Sequence, residues 1–245
     1  MAVWIALARH LGLAALSGVV AGILVGGVLG RIAMRISGFA AGPALAGVST
    51  ANGERVGEIT FGGSLAVLIF VGLPFGVVGG ILYAIVEPWL RRARPWHGLA
   101  YGAGLLLATG SLVLDPSNFD FTRFGPPSLN VAMFAALFVI FGVTIAWLFD
   151  KLGALREGSG RSARVVDIFA WLSLVPAVIF AVLLVGAGTG LDPLLAIAIA
   201  AAVLVPAIVR WRGLPRAIGY ATLAGMVLLG AARTLSGLPS LLRGF

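Results

Sequence analysis

The sequence predicts an all-α protein that crosses a membrane seven times as a helical bundle. The 245-residue chain is 60% hydrophobic and only 11% charged, whereas a soluble domain is about half apolar and about a quarter charged. Long apolar runs recur along the chain, and about 20 apolar residues in a helix cross roughly 30 Å of hydrocarbon. Glycines recur at every fourth residue of the first run, a spacing that is costly in an isolated helix but lets two helices approach closely in lipid.

Seven apolar runs are interpreted as spans of one integral membrane domain covering residues 1–245. The runs lie at residues 11–30, 64–86, 98–114, 129–149, 165–187, 191–209 and 217–235. Helices are expected throughout, because a backbone in lipid must satisfy its own hydrogen bonds. The first run is expected to be a retained span, since no basic segment precedes it and no cleavage site follows it. The seventh run has the weakest signal, because Arg233 lies near its end.

Charged and aromatic residues predict the orientation of these spans. If consecutive spans alternate in direction, 11 of the 17 basic residues fall on the side of the N-terminus. That side also contains the loops at residues 87–97, 150–164 and 210–216, with all six tryptophans and all three tyrosines on it or toward it. Basic loops stay in the cytoplasm, so the N-terminus is expected inside and the C-terminus outside. The net charge of +8 is attributed to contact with anionic lipid at the inner loops and not to nucleic-acid binding.

The sequence lacks the residues that several classes of chemistry require. There is no cysteine, which excludes disulfides, thiolate metal sites and iron–sulfur clusters. The only lysine, Lys151, lies in a predicted loop, so no lysine is available for a retinal Schiff base. No Gly-x-Ser-x-Gly, His-Glu-x-x-His or Walker-type motif occurs, and no charged residue lies near the middle of a predicted span. We therefore expect no catalytic residues, no cofactor and no metal.

Two rows of glycines predict close helix packing of the glycine-zipper type. The rows are Gly18, Gly22, Gly26 and Gly30 in the first run and Gly72, Gly76 and Gly80 in the second. Because four residues overshoot one helical turn by about 40°, the first row turns by about 120° over its length, and no single straight neighbour touches all four of its glycines. Internal packing of the first two spans is the expected use of the rows. A homo-oligomer, a contact with another membrane protein and a sliding gate stay open as alternatives.

Two arginines follow the first glycine row, on the side of the membrane where basic residues are fewer. Arg31 and Arg35 continue an i, i+4 row from Gly27. They are expected to snorkel to water from the end of the helix, to pair with acids of the same side, or to hold an anionic headgroup or substrate. The acids of this candidate site are Glu58, Asp115 and Asp120. The loop at residues 115–120 lacks the ligand spacing of a calcium loop and is interpreted as a turn.

Polar residues at the inner ends of the spans are expected to have structural roles. Glu87 lies one turn before Arg91, which predicts an ion pair between them. Asp150 lies at the end of a span, where an acid caps a helix or faces a neighbouring arginine. His10 and His97 are expected at the membrane surface near anionic lipid, too shallow to ligate a haem.

Three stretches in the first 150 residues form recognisable motifs. They are Gly30-Arg31-Ile32-Ala33-Met34-Arg35, Gly57-Glu58-Ile59-Thr60-Phe61-Gly62-Gly63, and Asn118-Phe119-Asp120-Phe121 leading through Pro126-Pro127 into the fourth run. Together they resemble a group of uncharacterised bacterial polytopic membrane proteins. The resemblance implies a multi-pass protein of the bacterial cell (inner) membrane. It carries no activity, so no functional residue is transferred from it.

Two functions from different classes remain open from the sequence. The first is facilitated movement of a small or lipid-like molecule through a bundle whose helices are kinked at Pro74, Pro176 and Pro206. The second is a non-enzymatic packing or regulatory subunit of a membrane complex, which the glycine rows would serve. A membrane enzyme that acts on lipid at the outer arginines and acids is a more distant third. A glycine groove exposed to lipid would favour the second function.

Overall fold

The computed structural model describes residues 2–45, 47–48, 60–112, 114, 124–158, 160–176, 179 and 216–243, and every regular element in these ranges is helical. The α-helices are α1 (Ala2–Ala21), α2 (Gly30–Ala41), α3 (Phe61–Val67), α4 (Leu73–Leu90), α5 (His97–Thr109), α6 (Pro127–Glu157), α7 (Arg161–Leu172) and α8 (Arg216–Arg243). Two π-helical segments, Gly22–Leu29 and Leu68–Gly72, join α1 to α2 and α3 to α4 without a break. The all-α class is therefore confirmed for the described residues.

Within the part of the chain that the structure describes, four continuous helices are long and apolar enough to cross a membrane. They are Ala8–Ala41, Phe61–Ala93, Pro127–Glu157 and Ala217–Leu242. The last of them contains the seventh predicted span, whose sequence signal is the weakest. The third predicted span corresponds to α5, which has 13 residues and is shorter than the roughly 20 residues of a full crossing. The fifth span lies only partly, and the sixth not at all, within the described residues.

The first helix extends well beyond the apolar run that predicts it. It continues through Arg31 and Arg35 to Ala41, so these arginines are not at the helix end as expected. The physical reason is that arginine, alanine and methionine are good helix formers, and an apolar-run criterion stops at the first charge even when the helix does not. The helix ends at Gly42, which has a φ of 81° and immediately precedes Pro43.

The described helices alternate in direction between two ends of the bundle. We call the end at which α1 begins the near end and the end at which α2 finishes the far end. Helices α1, α5 and α8 run from the near end to the far end, whereas α4 and α6 run back. The contacts that set these directions are Gly18 with Gly76, Gly98 with Gly142, Gly219 with Trp89 and Gly230 with Ala108.

The core lies where α1, α4, α5 and α6 meet. Its largest fully buried side chains are Tyr83 and Ile145, and Tyr83 packs edge-on against both Tyr101 and Phe149. Many large apolar side chains instead point outward. Phe70 is 74% exposed, for example, an arrangement that is unfavourable in water and that suits a surface covered by lipid.

Helices α5 and α6 make a second close contact through glycine. A Cβ atom on Gly98 would lie 2.9 Å from the Gly142 carbonyl oxygen, and one on Gly102 would lie 2.6 Å from the Phe138 carbonyl oxygen. This contact was not predicted from the sequence. Its signal was the four-residue step from Gly98 to Gly102, which is too short to stand out among 35 glycines.

Candidate functional site

The candidate site follows the seam between the first two membrane-length helices. In the near half of the seam, Ala14, Gly18 and Gly22 face Gly80, Gly76 and Gly72 in antiparallel order. A Cβ atom on Gly22 would lie 2.6 Å from the Gly76 Cα atom, and one on Gly72 would lie 2.8 Å from the Gly22 carbonyl oxygen. Backbone therefore lies directly against backbone, and neither helix has room for a methyl group.

The seam leaves the predicted glycine row at Gly22. A Cβ atom on Gly26 would make an ordinary 3.4 Å contact with Gly72, and one on Gly30 would approach only Val25 of its own helix, at 3.8 Å. The next tight position is instead Gly27, where a Cβ atom would meet the Leu68 side chain. The step from Gly22 to Gly27 is five residues because this segment is π-helical, and a π-helix has i to i+5 hydrogen bonds.

A second π-helical segment lies directly opposite the first. Leu68–Gly72 contacts Gly22–Leu29 across the seam, and the α-helix that follows has Pro74 at its start. Proline has no N–H group and its ring crowds the preceding turn, which explains why the regular ladder is interrupted here. Pro74 was expected to bend or break this span, and the structure shows no break: the helix is continuous, with a π-helical segment immediately before Leu73.

The two arginines follow the π-helical segment on the same continuous helix, at four-residue steps from Gly27. The Arg31 Nε and Nη2 atoms are buried and have no hydrogen-bond partner among the described residues. Arg35 is exposed, and its guanidinium carbon lies 5.0 Å from the centre of the Phe39 ring, in a cation–π contact. The predicted acidic partners Glu58, Asp115 and Asp120 lie outside the described residues.

A polar contact ties α2 to the start of α6 at the far end. Asn130 is only 2% exposed. Its amide nitrogen donates to the Phe124 carbonyl oxygen at 2.8 Å, and its amide oxygen accepts from the Ser37 hydroxyl. Gly125 has a φ of 80°, and a Cβ atom there would lie 3.1 Å from both Ala40 Cβ and the Ser37 carbonyl oxygen. The sequence analysis did not identify these residues.

Replacing Gly125 by alanine is expected to destabilise the protein by about 1–2 kcal/mol. A positive φ costs an L-residue this amount, and the new methyl group would press on α2. Gly104→Ala is the matched control, because nothing lies within 4 Å of its Cβ position. The free energy of unfolding in detergent measures both. Equal stability of the two variants would show that this contact between α2 and Gly125 is absent.

A cluster of ionisable side chains forms at the near end, where α4, α5 and α6 meet. Arg91 Nε donates to Glu87 Oε1 at 2.6 Å, which confirms the predicted ion pair. Arg94 donates to Asp150 Oδ1 at 2.9 Å, and the His97 Nε2 atom lies 3.5 Å from Asp150 Oδ2. Asp150 therefore faces a neighbouring arginine, one of its two expected roles. The two acids each have an arginine at one carboxylate oxygen.

The position of His97 differs from the expectation. It was expected at the lipid surface, but it is only 9% exposed and its ring centre lies 6.5 Å from that of Tyr83. The reason is that the helix start carrying His97 packs between α4 and α6, as the tight contact of the adjacent Gly98 with Gly142 requires. Sequence position placed the residue at the correct end of the bundle but could not show which face is covered.

An open pocket of about 640 Å³ lies at the near end beside α1. It is lined by Ile5, Ala6, Arg9, His10 and Arg156. Arg156 is held in place because it contacts Asp167 Oδ1 at 2.7 Å and donates to the Arg9 carbonyl oxygen at 3.2 Å. Basic groups beside an apolar wall suit the headgroup of an anionic lipid.

Comparison with protein-family models, with curated proteins and with solved structures finds no match to this chain. The function is therefore inferred from the geometry of the chain's own residues.

Proposed function

We propose that this chain is a seven-span protein of a bacterial cell membrane, with its N-terminus in the cytoplasm, that moves a small or lipid-like molecule across the bilayer. The alternating directions of α1, α4, α5, α6 and α8 support this topology. Basic residues concentrated at the near end support a cytoplasmic position for it.

The observation that carries the proposed movement is the pair of π-helical segments in the middle of the seam. Each segment holds an irregular turn inside a helix of membrane length, and such turns occur frequently at functional sites. The glycines on either side have no side chains that interlock, so the two helices can slide or rotate without unpacking large groups.

The arginines at the two ends favour an anionic, lipid-like substrate. Arg9 and Arg156 line the pocket at the near end, and Arg31 presents buried guanidinium nitrogens at the far side of the π-helical segments. Arginine binds phosphate through two parallel hydrogen bonds. The outward-facing aliphatic side chains of the same helices suit contact with acyl chains.

The alternative function, a packing subunit that binds a partner through its glycine rows, has less structural support. That function needs the glycines on the lipid-facing surface. Gly18, Gly22, Gly72 and Gly76 are instead covered within the chain by each other.

The proposed movement is tested with purified protein in vesicles that contain fluorescent phosphatidylglycerol, whose outward movement is followed by chemical quenching. The variant Gly26→Ala/Gly30→Ala is expected to fold, because both Cβ positions make only ordinary contacts. Each alanine favours the α-helix by about 1 kcal/mol. Since about 1.4 kcal/mol corresponds to a tenfold change in rate, the two alanines together are expected to slow movement by about 30-fold. Gly104→Ala/Gly225→Ala is the control outside the seam, with open space at both positions.

Two results would contradict the proposed movement. If vesicles with wild-type protein lose no more fluorescence than protein-free vesicles, the protein does not transport this lipid. Equal transport rates in the two double-alanine variants would show that transport does not depend on the π-helical segments. Fluorescent phosphatidylcholine serves as the substrate control, and slower movement of this lipid is expected if the arginines select a net negative charge.

A further inference from the structure

Three buried polar groups without hydrogen-bond partners come together in the near-end cluster. Tyr83, Glu87 and His97 are 0%, 2% and 9% exposed. The Tyr83 hydroxyl, the Glu87 Oε2 atom and both His97 ring nitrogens have no hydrogen-bond partner among the described residues. Leaving one buried polar group unpaired costs about 1–3 kcal/mol. Three such groups at one place therefore indicate an occupant that supplies their hydrogen bonds.

The positions of these groups suit a bridging water. Tyr83 and Glu87 lie one turn apart on the same face of α4, and His97 begins the adjacent helix α5 with its ring 6.5 Å from that of Tyr83. A buried water makes about three hydrogen bonds to groups that would otherwise be unsatisfied. Tyr101 cannot donate to Glu87 Oε2, because its hydroxyl proton is already donated to the Gly79 carbonyl oxygen at 2.6 Å.

The charges around the site leave two carboxylate oxygens available. Arg91 occupies Oε1 of Glu87 and Arg94 occupies Oδ1 of Asp150, so Glu87 Oε2 and Asp150 Oδ2 face no arginine in the described contacts. The titratable and charged groups around His97 come from α4, the following turn, α5, α6 and α1. They are Tyr83, Glu87, Arg91, Arg94, Tyr101, Asp150 and His10.

We propose that Tyr83, Glu87 and His97 form a buried proton-binding site that holds a water and exchanges protons with the solution at the near end. Asp150 is 40% exposed and lies 3.5 Å from His97 Nε2, which makes it the entry group. A proton reaching Asp150 passes to Nε2 of His97. The imidazole then releases the proton of its other nitrogen to the water, and the water gives one proton to Glu87 Oε2. No group of three metal-ligating side chains occurs among the described residues, so the donors fit a proton better than a metal.

The proposal is tested by infrared difference spectroscopy of the wild-type protein in lipid as the pH is lowered. We expect a carboxylic acid C=O band that shifts in D₂O and is lost in Glu87→Gln. Glu157→Gln, a matched change at an exposed position, is expected to retain it. Asp150→Asn is expected to retain the band but to slow its appearance after a pH jump, as loss of the entry group requires.

Two results would overturn the proton-binding site. A band that persists in folded Glu87→Gln protein would assign it to another carboxyl group. Absence of any such band in the wild-type protein down to the pH at which it unfolds would show that the cluster does not take up a proton on Glu87. Circular dichroism of each variant verifies that it is folded. The measurement uses no transport assay, so its outcome is independent of the proposed movement of lipid.

Discussion

Replacing Gly22 by leucine is expected to abolish the folded bundle. The Cβ position of this residue lies 2.6 Å from the Gly76 Cα atom and also meets the Gly72 carbonyl oxygen. Since both obstacles are backbone atoms, the two helices must separate to admit the side chain. Overpacking of even a well-adapted core costs about 1–3 kcal/mol, and separation of the whole seam costs more. This loss is comparable to the total stability of about 5–15 kcal/mol that proteins possess.

Thermal unfolding in detergent, together with size-exclusion chromatography, measures this effect. Gly225→Leu is the matched control, because nothing lies within 4 Å of its Cβ position on α8, and it is expected to melt close to the wild-type protein. A Gly22→Leu variant that melts like the wild type but changes from an oligomer to a monomer would contradict internal packing. That result would show that the glycine row serves a contact between copies of the chain.

Replacing Arg91 by alanine is expected to destabilise the protein by about 2–3 kcal/mol, because it leaves the buried Glu87 carboxylate without its cation. Glu87 is 2% exposed, whereas the Arg91 side chain is 63% exposed. Exposed ion pairs contribute little, but removing one partner of a buried charge leaves an uncompensated charge behind, which costs about 3–5 kcal/mol when both partners are buried. The solvent exposure of Arg91 places this pair somewhat below that range.

The double variant Glu87→Gln/Arg91→Ala distinguishes the cost of losing the ion pair from the cost of burying an unpaired carboxylate. It is expected to recover most of the stability lost in Arg91→Ala, since the neutral amide tolerates burial better than a carboxylate. Arg92→Ala is the control at an adjacent exposed arginine. Unfolding free energies of Arg91→Ala and Arg92→Ala that agree within about 0.5 kcal/mol would show that Glu87 does not depend on Arg91.

The glycine rows show how far the sequence leads. Spacing alone indicated that the first two spans carry closely packing faces, because glycine at every fourth residue has little other use in a lipid-embedded helix. It could not show that the contact moves from the Gly26 position to Gly27. That shift depends on a π-helical turn, and a π-helical turn depends on the helix on the other side of the seam and on Pro74 within it.

The near-end cluster combines one contact that the sequence predicts with others that it cannot predict. The pair Glu87–Arg91 follows from four-residue spacing within one helix and was predictable. The approach of His97 to Tyr83 and Asp150 joins three helices, and its cause is the close contact of α5 with α6 at Gly98 and Gly142. The sequence analysis interpreted these groups one at a time, so it assigned each a separate structural role.

The sequence by itself determined the helical class, an apolar composition that suits a membrane, and the close contact of the first two spans at Gly18, Gly22, Gly72 and Gly76. These properties depend on composition and on periodicity along one helix, and both are local. The tertiary structure decided which glycines touch, where the first helix ends, that two guanidinium nitrogens of Arg31 are buried, and that His97 lies beside Tyr83 and Asp150. Each of these depends on the rotation of one helix against another, and that rotation is set by contacts between residues far apart in the chain.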